Sequence, residues 1–503
     1  MVSRWIVDPV EQEAVIQSEV HGHFAEHLGR CIYDGLFVGR QSSIPNIHGI
    51  RLDVLEALRA VGVPVLRWPG GCFAEYYHWR DGVGTARRSV VNAHWGGQTE
   101  DNSFGTHEFM ELCELLGSKP YICGNVSSGT PQEMAEWVEY LTSDNDTPMT
   151  RLRRENGRDR AWDVPYWGVG NENWGAGGLM RPQYYADLYR QYTMNLNDPA
   201  PERRLCKIAC GANAADFDWT ETVMKAVAPY LPMTRLNVIG GLSLHYYAKR
   251  GNSWDGLGAA TGFTREEYYG TLQAACRMDE LLTRHGQIMD RYDPEKRVGL
   301  MVDEWGTWFD AEQGTHPRFL YQQNTMRDAL VAAITLNLFH KHASRVRMAN
   351  IAQLVNVLQA LILTDGDRMI TTPTYHVFRL FAPHRGARLV HSYVQRQNVG
   401  EGAFSAPDLS ESASMDESGA LTLTIANCGD LAGRTVRCTV VDHRPCEISA
   451  QLLCGRPDAH NEFDRPDAVA PMPCETIRQT EDGFMLELPP CAVASIRLKP
   501  VKN

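Results

Sequence analysis

Two glutamates, Glu172 and Glu304, each close a short apolar run and each stand among glycines and tryptophans. The first lies in Trp167-Gly168-Val169-Gly170-Asn171-Glu172-Asn173-Trp174, the second in Leu300-Met301-Val302-Asp303-Glu304-Trp305-Gly306. Most glutamates are solvated surface groups, so a carboxylate at the end of a buried strand needs a reason to be there. Two carboxylates beside indole rings that can stack on a sugar are the minimum equipment for splitting a glycosidic bond. Asp303 competes with Glu304 for the second role. The pattern points to a glycosidase.

Such residues need strands to carry them. Apolar runs alternate with longer amphipathic stretches, the pattern of β/α units. The runs that read as strands are Glu19–Phe24, Val63–Trp68, Pro120–Gly124, Pro165–Gly170, Lys207–Gly211, Val238–His245, Val298–Asp303 and Val346–Ile351. Between them, Leu52, Leu55 and Leu58 share one helical face, as do Phe109, Leu112, Cys113 and Leu116, with charged residues on the others. Eight units predict an α/β fold of the (β/α)8 TIM-barrel type, whose catalytic groups come from the carboxyl ends of the strands. The alternative, a doubly wound open sheet, calls for a glycine-rich phosphate loop after its first strand, and none is visible.

Near Pro383-His384-Arg385-Gly386 the composition shifts. Short alternating runs follow, such as Leu421–Ile425, Phe484–Leu488 and Ala494–Leu498, separated by Gly, Pro and Asp. They predict a jelly-roll-like β-sandwich over residues 385–503, after a barrel over residues 18–384. The Ser-, Glu- and Asp-rich stretch Ser405–Gly419 reads as an exposed loop.

A formal charge of −12 argues against a nucleic-acid partner or an anionic membrane surface, which both need clustered Lys and Arg. No apolar run approaches the roughly 18 residues that span a bilayer, and Asp8, Glu11 and Glu13 stand where a signal sequence would be apolar. Thirteen cysteines without a repeated spacing suit reduced thiols, so a cytoplasmic protein is expected. His21-Gly22-His23 invites a metal reading, but no further ligand stands at tetrahedral-site spacing; neither a metal nor another cofactor is expected.

Further motifs carry a resemblance. Arg67-Trp68-Pro69-Gly70-Gly71, Gly170-Asn171-Glu172, Leu244-His245-Tyr246-Tyr247, Asp303-Glu304-Trp305 and Ala349-Asn350-Ile351-Ala352-Gln353-Leu354-Val355-Asn356 occur in the order seen in family 51 glycoside hydrolases, the α-L-arabinofuranosidases. His23-Phe24-Ala25-Glu26-His27-Leu28-Gly29-Arg30 resembles that family's N-terminal signature, and Asn461-Glu462-Phe463-Asp464-Arg465-Pro466 a segment of its sandwich. The resemblance runs essentially from end to end.

It implies a retaining, exo-acting enzyme that releases terminal α-L-arabinofuranosyl residues from arabinan or arabinoxylan oligosaccharides, with Glu172 as acid/base and Glu304 as nucleophile. A carboxyl separation of about 5 to 5.5 Å is expected for retention, against about 6.5 to 9.5 Å for inversion. Arg67 would hold Glu304 by charge-assisted hydrogen bonds. Asn171 resembles the partner of the sugar 2-hydroxyl, Tyr247 the phenol that bonds the nucleophile, and Glu26 and Gln353 groups that bind furanose hydroxyls. Tyr246 is expected to pack. Cys72 stands where many relatives carry a sugar-facing asparagine, and a thiol is a weaker hydrogen-bond partner. Of Trp95, Trp174, Trp305 and Trp308, two are expected in the site, Trp95 and Trp308. Trp5, Trp137 and Trp162 are assigned to the core or to an interface. The resemblance further implies a hexamer and a leading strand, residues 1–17, that joins the sandwich. The alternatives are an endo-β-1,4-glucanase or β-xylosidase of the same family and, from a different class, a non-catalytic sugar-binding barrel.

Overall fold

The computed structural model describes residues 2–200, 203–249, 256–442 and 446–501; Met1, expected in the leading strand, lies outside them. Eight parallel strands close into a barrel: Gly22–Phe24, Val65–Trp68, Lys119–Gly124, Tyr166–Val169, Cys206–Asn213, Gly241–Ala248, Gly299–Thr307 and Val346–Ala352. The last pairs with the first, Asn350 opposite Gly22. The expected first strand is too long at its start, because Ser18–His21 form a 3-10 turn. There Glu19 turns its carboxylate to Lys119 Nζ at 2.5 Å and the Tyr166 hydroxyl at 3.0 Å, at the lower rim of the barrel.

Side chains alternate along each strand, so every second residue fills the barrel. Val65, Tyr121, Ile208, Met301 and Met348 pack as one apolar layer. Two residues further along the second strand, Arg67 begins the polar layer above it. The outward residues pack under helices such as Leu52–Val61, which buries Val54, Leu55, Leu58 and Val61 and stops at Gly62, where φ is 68°. Thr106–Leu116 does the same with Phe109, Leu112 and Cys113.

The seventh strand breaks the alternation. Ser243 pairs with Met301 and His245 with Glu304, so two steps along one strand match three along its neighbour. The extra residue is a bulge, which re-aims side chains at a barrel rim. It turns both Asp303 and Glu304 inward. Glu304 therefore sits within its strand rather than just beyond it, whereas Glu172 lies three residues past the end of Tyr166–Val169.

Beyond the barrel, ten strands hydrogen-bond in one continuous series that curls over its own core. Val2–Val15 lies in the middle of that series, antiparallel to Arg388–Val394 and parallel to Arg434–Val440. Its Trp5 and Val7 are fully buried beside Cys438, Phe484 and Leu486. Trp137 and Trp162 are buried in the barrel's core.

The stretch Ser405–Gly419 is not an exposed loop. Leu409–Met415 is a strand with Glu411, Ser412 and Ser414 buried. Its polarity serves the junction between the two units. Glu411 accepts from Trp5 Nε1 at 3.2 Å, Ser392 Oγ at 2.7 Å and Lys341 Nζ at 2.5 Å, while Ser412 and Ser414 meet His340 and His384 of the barrel at 2.9 and 2.7 Å. Nearby, His21 Nε2 lies 2.9 Å from His340 Nε2, whereas the His23 ring packs on Phe378 at 4.7 Å between centroids, so the two histidines of His21-Gly22-His23 do not converge.

Candidate active site

A cavity of about 250 Å³ opens at the carboxyl end of the barrel. Its wall includes Glu26, Cys72, Trp95, Glu172, Trp174, Tyr247, Glu304, Trp308 and Gln353, contributed by the ends of barrel strands and the loops that follow them. A carboxylate oxygen of Glu172 lies within 4.8 Å of one of Glu304.

Glu304 is fixed by donors on both oxygens. Arg67 Nη1 donates to Oε1 at 2.8 Å and the Tyr247 hydroxyl to Oε2 at 2.9 Å. Arg67 also donates to Asn171 Oδ1 at 2.5 Å and stands 3.8 Å from Asp303. A guanidinium 1% exposed, with its charge met by carboxylates, is a rigid fork that sets where Glu304 points. Arg67 and Asn171 are not in the wall of the cavity; they lie behind it.

Asp303, the rival to Glu304, is buried and likewise absent from the wall. The Tyr121 hydroxyl donates to it at 2.6 Å, and His245 Nε2 is 3.2 Å away. Burial opposes its charge, but Arg67 and His245 hold the carboxyl below its usual range.

His245 joins the two glutamates. Its Nδ1 is 2.9 Å from Glu172 Oε1 and 3.5 Å from Glu304 Oε2. Burial alone would neutralise the ring, but Glu304, Asp303 and Glu172 raise its pKa to about 10. That shift favours the imidazolium, whose two N–H groups face carboxylates and leave no lone pair for a metal ion, although the three groups stand close enough to surround one. For Glu172, burial and then the Glu304 charge raise the carboxyl above its usual range, against the bond from His245. Glu172 thus holds a proton more readily than a free carboxyl does, the direction an acid/base group needs.

On the opposite wall, Glu26 accepts from the Phe73 amide at 3.0 Å, Trp95 Nε1 at 2.9 Å and Gln353 Nε2 at 3.0 Å. Burial, and next Glu304, push its pKa up to about 7. The turn after the second strand approaches so closely that a Cβ on Gly71 would stand 2.9 Å from Glu26 Oε2. The Cys72 thiol is pushed up by burial and by the surrounding carboxylates of Glu172, Glu26 and Glu304.

Three of the four candidate tryptophans line the cavity, not two. Trp308 packs edge-on against Tyr247 at 5.0 Å, and Trp174 is held by a 3.0 Å bond to the Gly211 carbonyl. Trp305 is 1% exposed and stacks on Phe378 in the core. Tyr246 turns outward and donates to the Ala274 carbonyl at 2.7 Å. Sequence reasoning passed over Trp174 and His245. The signal for His245 was present: on a strand, the residue two before Tyr247 shares its face.

The family model described as the α-L-arabinofuranosidase C-terminal domain matches residues 303–492, and the one described as α-L-arabinofuranosidase 1 domain matches residues 57–252. The chain is 45% identical to an intracellular exo-α-L-arabinofuranosidase of Bacteroides ovatus over 96% of this chain and 93% of that one. Among solved structures, the GH51 arabinofuranosidase of Xanthomonas axonopodis pv. citri is 44% identical, with a TM-score of 0.95 over 99% of this chain and 100% of the other. An α-L-arabinofuranosidase from Thermotoga maritima in complex with arabinose is 30% identical, with a TM-score of 0.85 and the same coverage. With two carboxyls facing each other in a barrel-mouth pocket, and with likeness over the full length, the chain belongs to the family 51 glycoside hydrolases, the α-L-arabinofuranosidases.

Proposed function

We propose that this protein is a retaining, exo-acting α-L-arabinofuranosidase that removes terminal arabinofuranosyl units from arabinan or arabinoxylan oligosaccharides. The observation that carries this reading is the approach of Glu172 and Glu304 to within 4.8 Å in a pocket of about 250 Å³. An approach this close is nearer to the about 5 to 5.5 Å of a retaining pair than to the about 6.5 to 9.5 Å that leaves room for an interposed water. The volume lies below the roughly 300 Å³ at which pockets for drug-sized ligands begin, and suits one sugar ring.

Glu304 attacks the anomeric carbon while Glu172 gives its proton to the departing glycosidic oxygen, forming a glycosyl ester on Glu304. The deprotonated Glu172 then takes a proton from water, which attacks the same carbon and frees Glu304. Arg67 and Tyr247 keep the attacking carboxylate aimed. Glu26, Gln353 and Cys72 meet the sugar hydroxyls, and Trp95, Trp174 and Trp308 enclose the ring; Asn171, behind the wall, accepts from Arg67 instead of meeting the 2-hydroxyl. The leaving glycan lies along the adjoining groove of about 760 Å³, which shares Asn213 and Tyr247 with the pocket.

The protein is further read as a cytoplasmic homo-oligomer, a hexamer, acting on imported fragments. The intracellular name of the Bacteroides relative and thirteen unpaired thiols support the location. Light scattering tests the assembly.

Initial rates on 4-nitrophenyl α-L-arabinofuranoside for the wild type and Glu304→Ala, with arabinopyranoside, β-xylopyranoside and β-glucopyranoside controls, test the function. Furanoside turnover that the variant loses supports both reaction and nucleophile. Turnover that survives unseats Glu304, and activity on a control alone moves the reading to a xylosidase or glucanase.

A further inference from the structure

Glu75 is 2% exposed, absent from the pocket wall, and yet saturated with hydrogen bonds. Its Oε1 accepts from the Asn171 amide at 2.5 Å and Asn173 Nδ2 at 2.8 Å, and its Oε2 from the amides of Val126 at 2.9 Å and Ser127 at 2.7 Å. Among the described residues, no basic side chain pairs with it. Glu75 stands on the turn Cys72–Tyr76 after the second barrel strand, Val126 and Ser127 follow the third, and Asn171 and Asn173 follow the fourth. One carboxylate thus ties three successive loops together.

The last of these loops carries Glu172, with a Glu75 contact on each side of it. Glu172 has φ of 44°, in the left-handed region that residues with a Cβ avoid, so its surroundings must hold it there. The turn is tight enough that a Cβ on Gly170 would fall 2.1 Å from Asn173 Oδ1. Two bonds from a buried carboxylate to the residues on either side of Glu172 supply the restraint.

We propose that Glu75 is a positioning residue for the acid/base: without touching substrate, it fixes the backbone of Glu172 so that the carboxyl faces the glycosidic oxygen. The inference rests on the assignment of Glu172 above. A glutamine at this position keeps one acceptor oxygen, while its amide group meets two N–H donors, so half of the clamp is lost and replaced by repulsion.

The test compares kcat/KM, which reports the first chemical step, on aryl α-L-arabinofuranosides from the 2,4-dinitrophenyl to the phenyl leaving group. Wild type, Glu172→Ala, Glu75→Gln and Asn173→Ala are assayed together. A misplaced acid harms only leaving groups that need a proton. Glu75→Gln is expected to lose about 100-fold on the phenyl substrate, as a displaced catalytic group does, and little on the dinitrophenyl one. Asn173→Ala is expected to follow the same slope with a smaller loss, and it decides the matter should Glu75→Gln not fold. Equal losses on both substrates, or none, overturn the inference. Wild type active throughout with Glu172→Ala lacking the leaving-group slope would instead unseat Glu172, and wild-type silence on every furanoside would unseat the function with it.

Discussion

Replacing His23 by leucine isolates the effect of acid on a single buried ring. His23 is fully buried against Phe378, and neither of its nitrogens has a partner within the described residues. Burial first, and then the Arg385 charge, hold its pKa well below 6.5. The unfolded chain takes up a proton near pH 6.5 and the folded one does not, so stability present above that value is lost as pH falls toward the native pKa. Each pH unit below 6.5 costs about 1.4 kcal/mol, which makes about 2 kcal/mol at pH 5. At about 2 cal/mol/K of unfolding entropy per residue, 503 residues give about 1 kcal/mol/K, so the loss corresponds to about 2 °C in Tm. The whole protein's pH profile cannot be used alone, because Glu26, raised to about 7, gains stability on protonation over the same range. The difference between wild type and His23→Leu cancels such terms. Calorimetry at pH 7 and pH 5 should show the variant gaining about 2 °C on the wild type as pH drops; a gap that stays constant would mean His23 is charged or partnered in the folded state, and the reasoning fails.

Arg67→Met removes the fork behind Glu304 and is expected to lower kcat by about 10² to 10³, the usual effect of deleting one preorganised donor, with KM little changed; a loss below about tenfold in steady-state kinetics would show that Tyr247 alone suffices. Cys72 should react slowly with iodoacetamide at pH 8, because its thiol is pushed up, and more slowly still with arabinose present; fast labelling unaffected by arabinose, read by mass spectrometry, would place the thiol outside the pocket. Deleting Val2–Val7 strips Trp5 and Val7 from the sheet core and should lower the melting transition of the whole protein. An unchanged transition would show the strand to be dispensable.

The barrel was legible because burial imposes period: apolar runs between amphipathic stretches marked all eight strands within a few residues. Ser405–Gly419 was misread because polarity usually means solvent, whereas Glu411, Ser412 and Ser414 face partners on Lys341, His340 and His384 that only the folded chain supplies. The relation of Asp303 to Glu304 depends on a bulge, and no residue type in that strand announces it. Glu75 could not be found by spacing, since its work is done through main-chain amides of two other loops. His245 could have been, by counting back two residues from Tyr247.

The place of Val2–Val15 between Arg388–Val394 and Arg434–Val440 has a consequence for synthesis on the ribosome. The strand is made some 380 residues ahead of the first of its neighbours, which at roughly 5 to 20 residues per second is a wait of about 20 to 80 s. Throughout that time, Trp5 and Val7 belong to a sheet that does not yet exist, while the barrel has its strands and can close. The sheet can be completed only by capturing this segment made long before its neighbours, and until then Trp5 and Val7 have no core to enter.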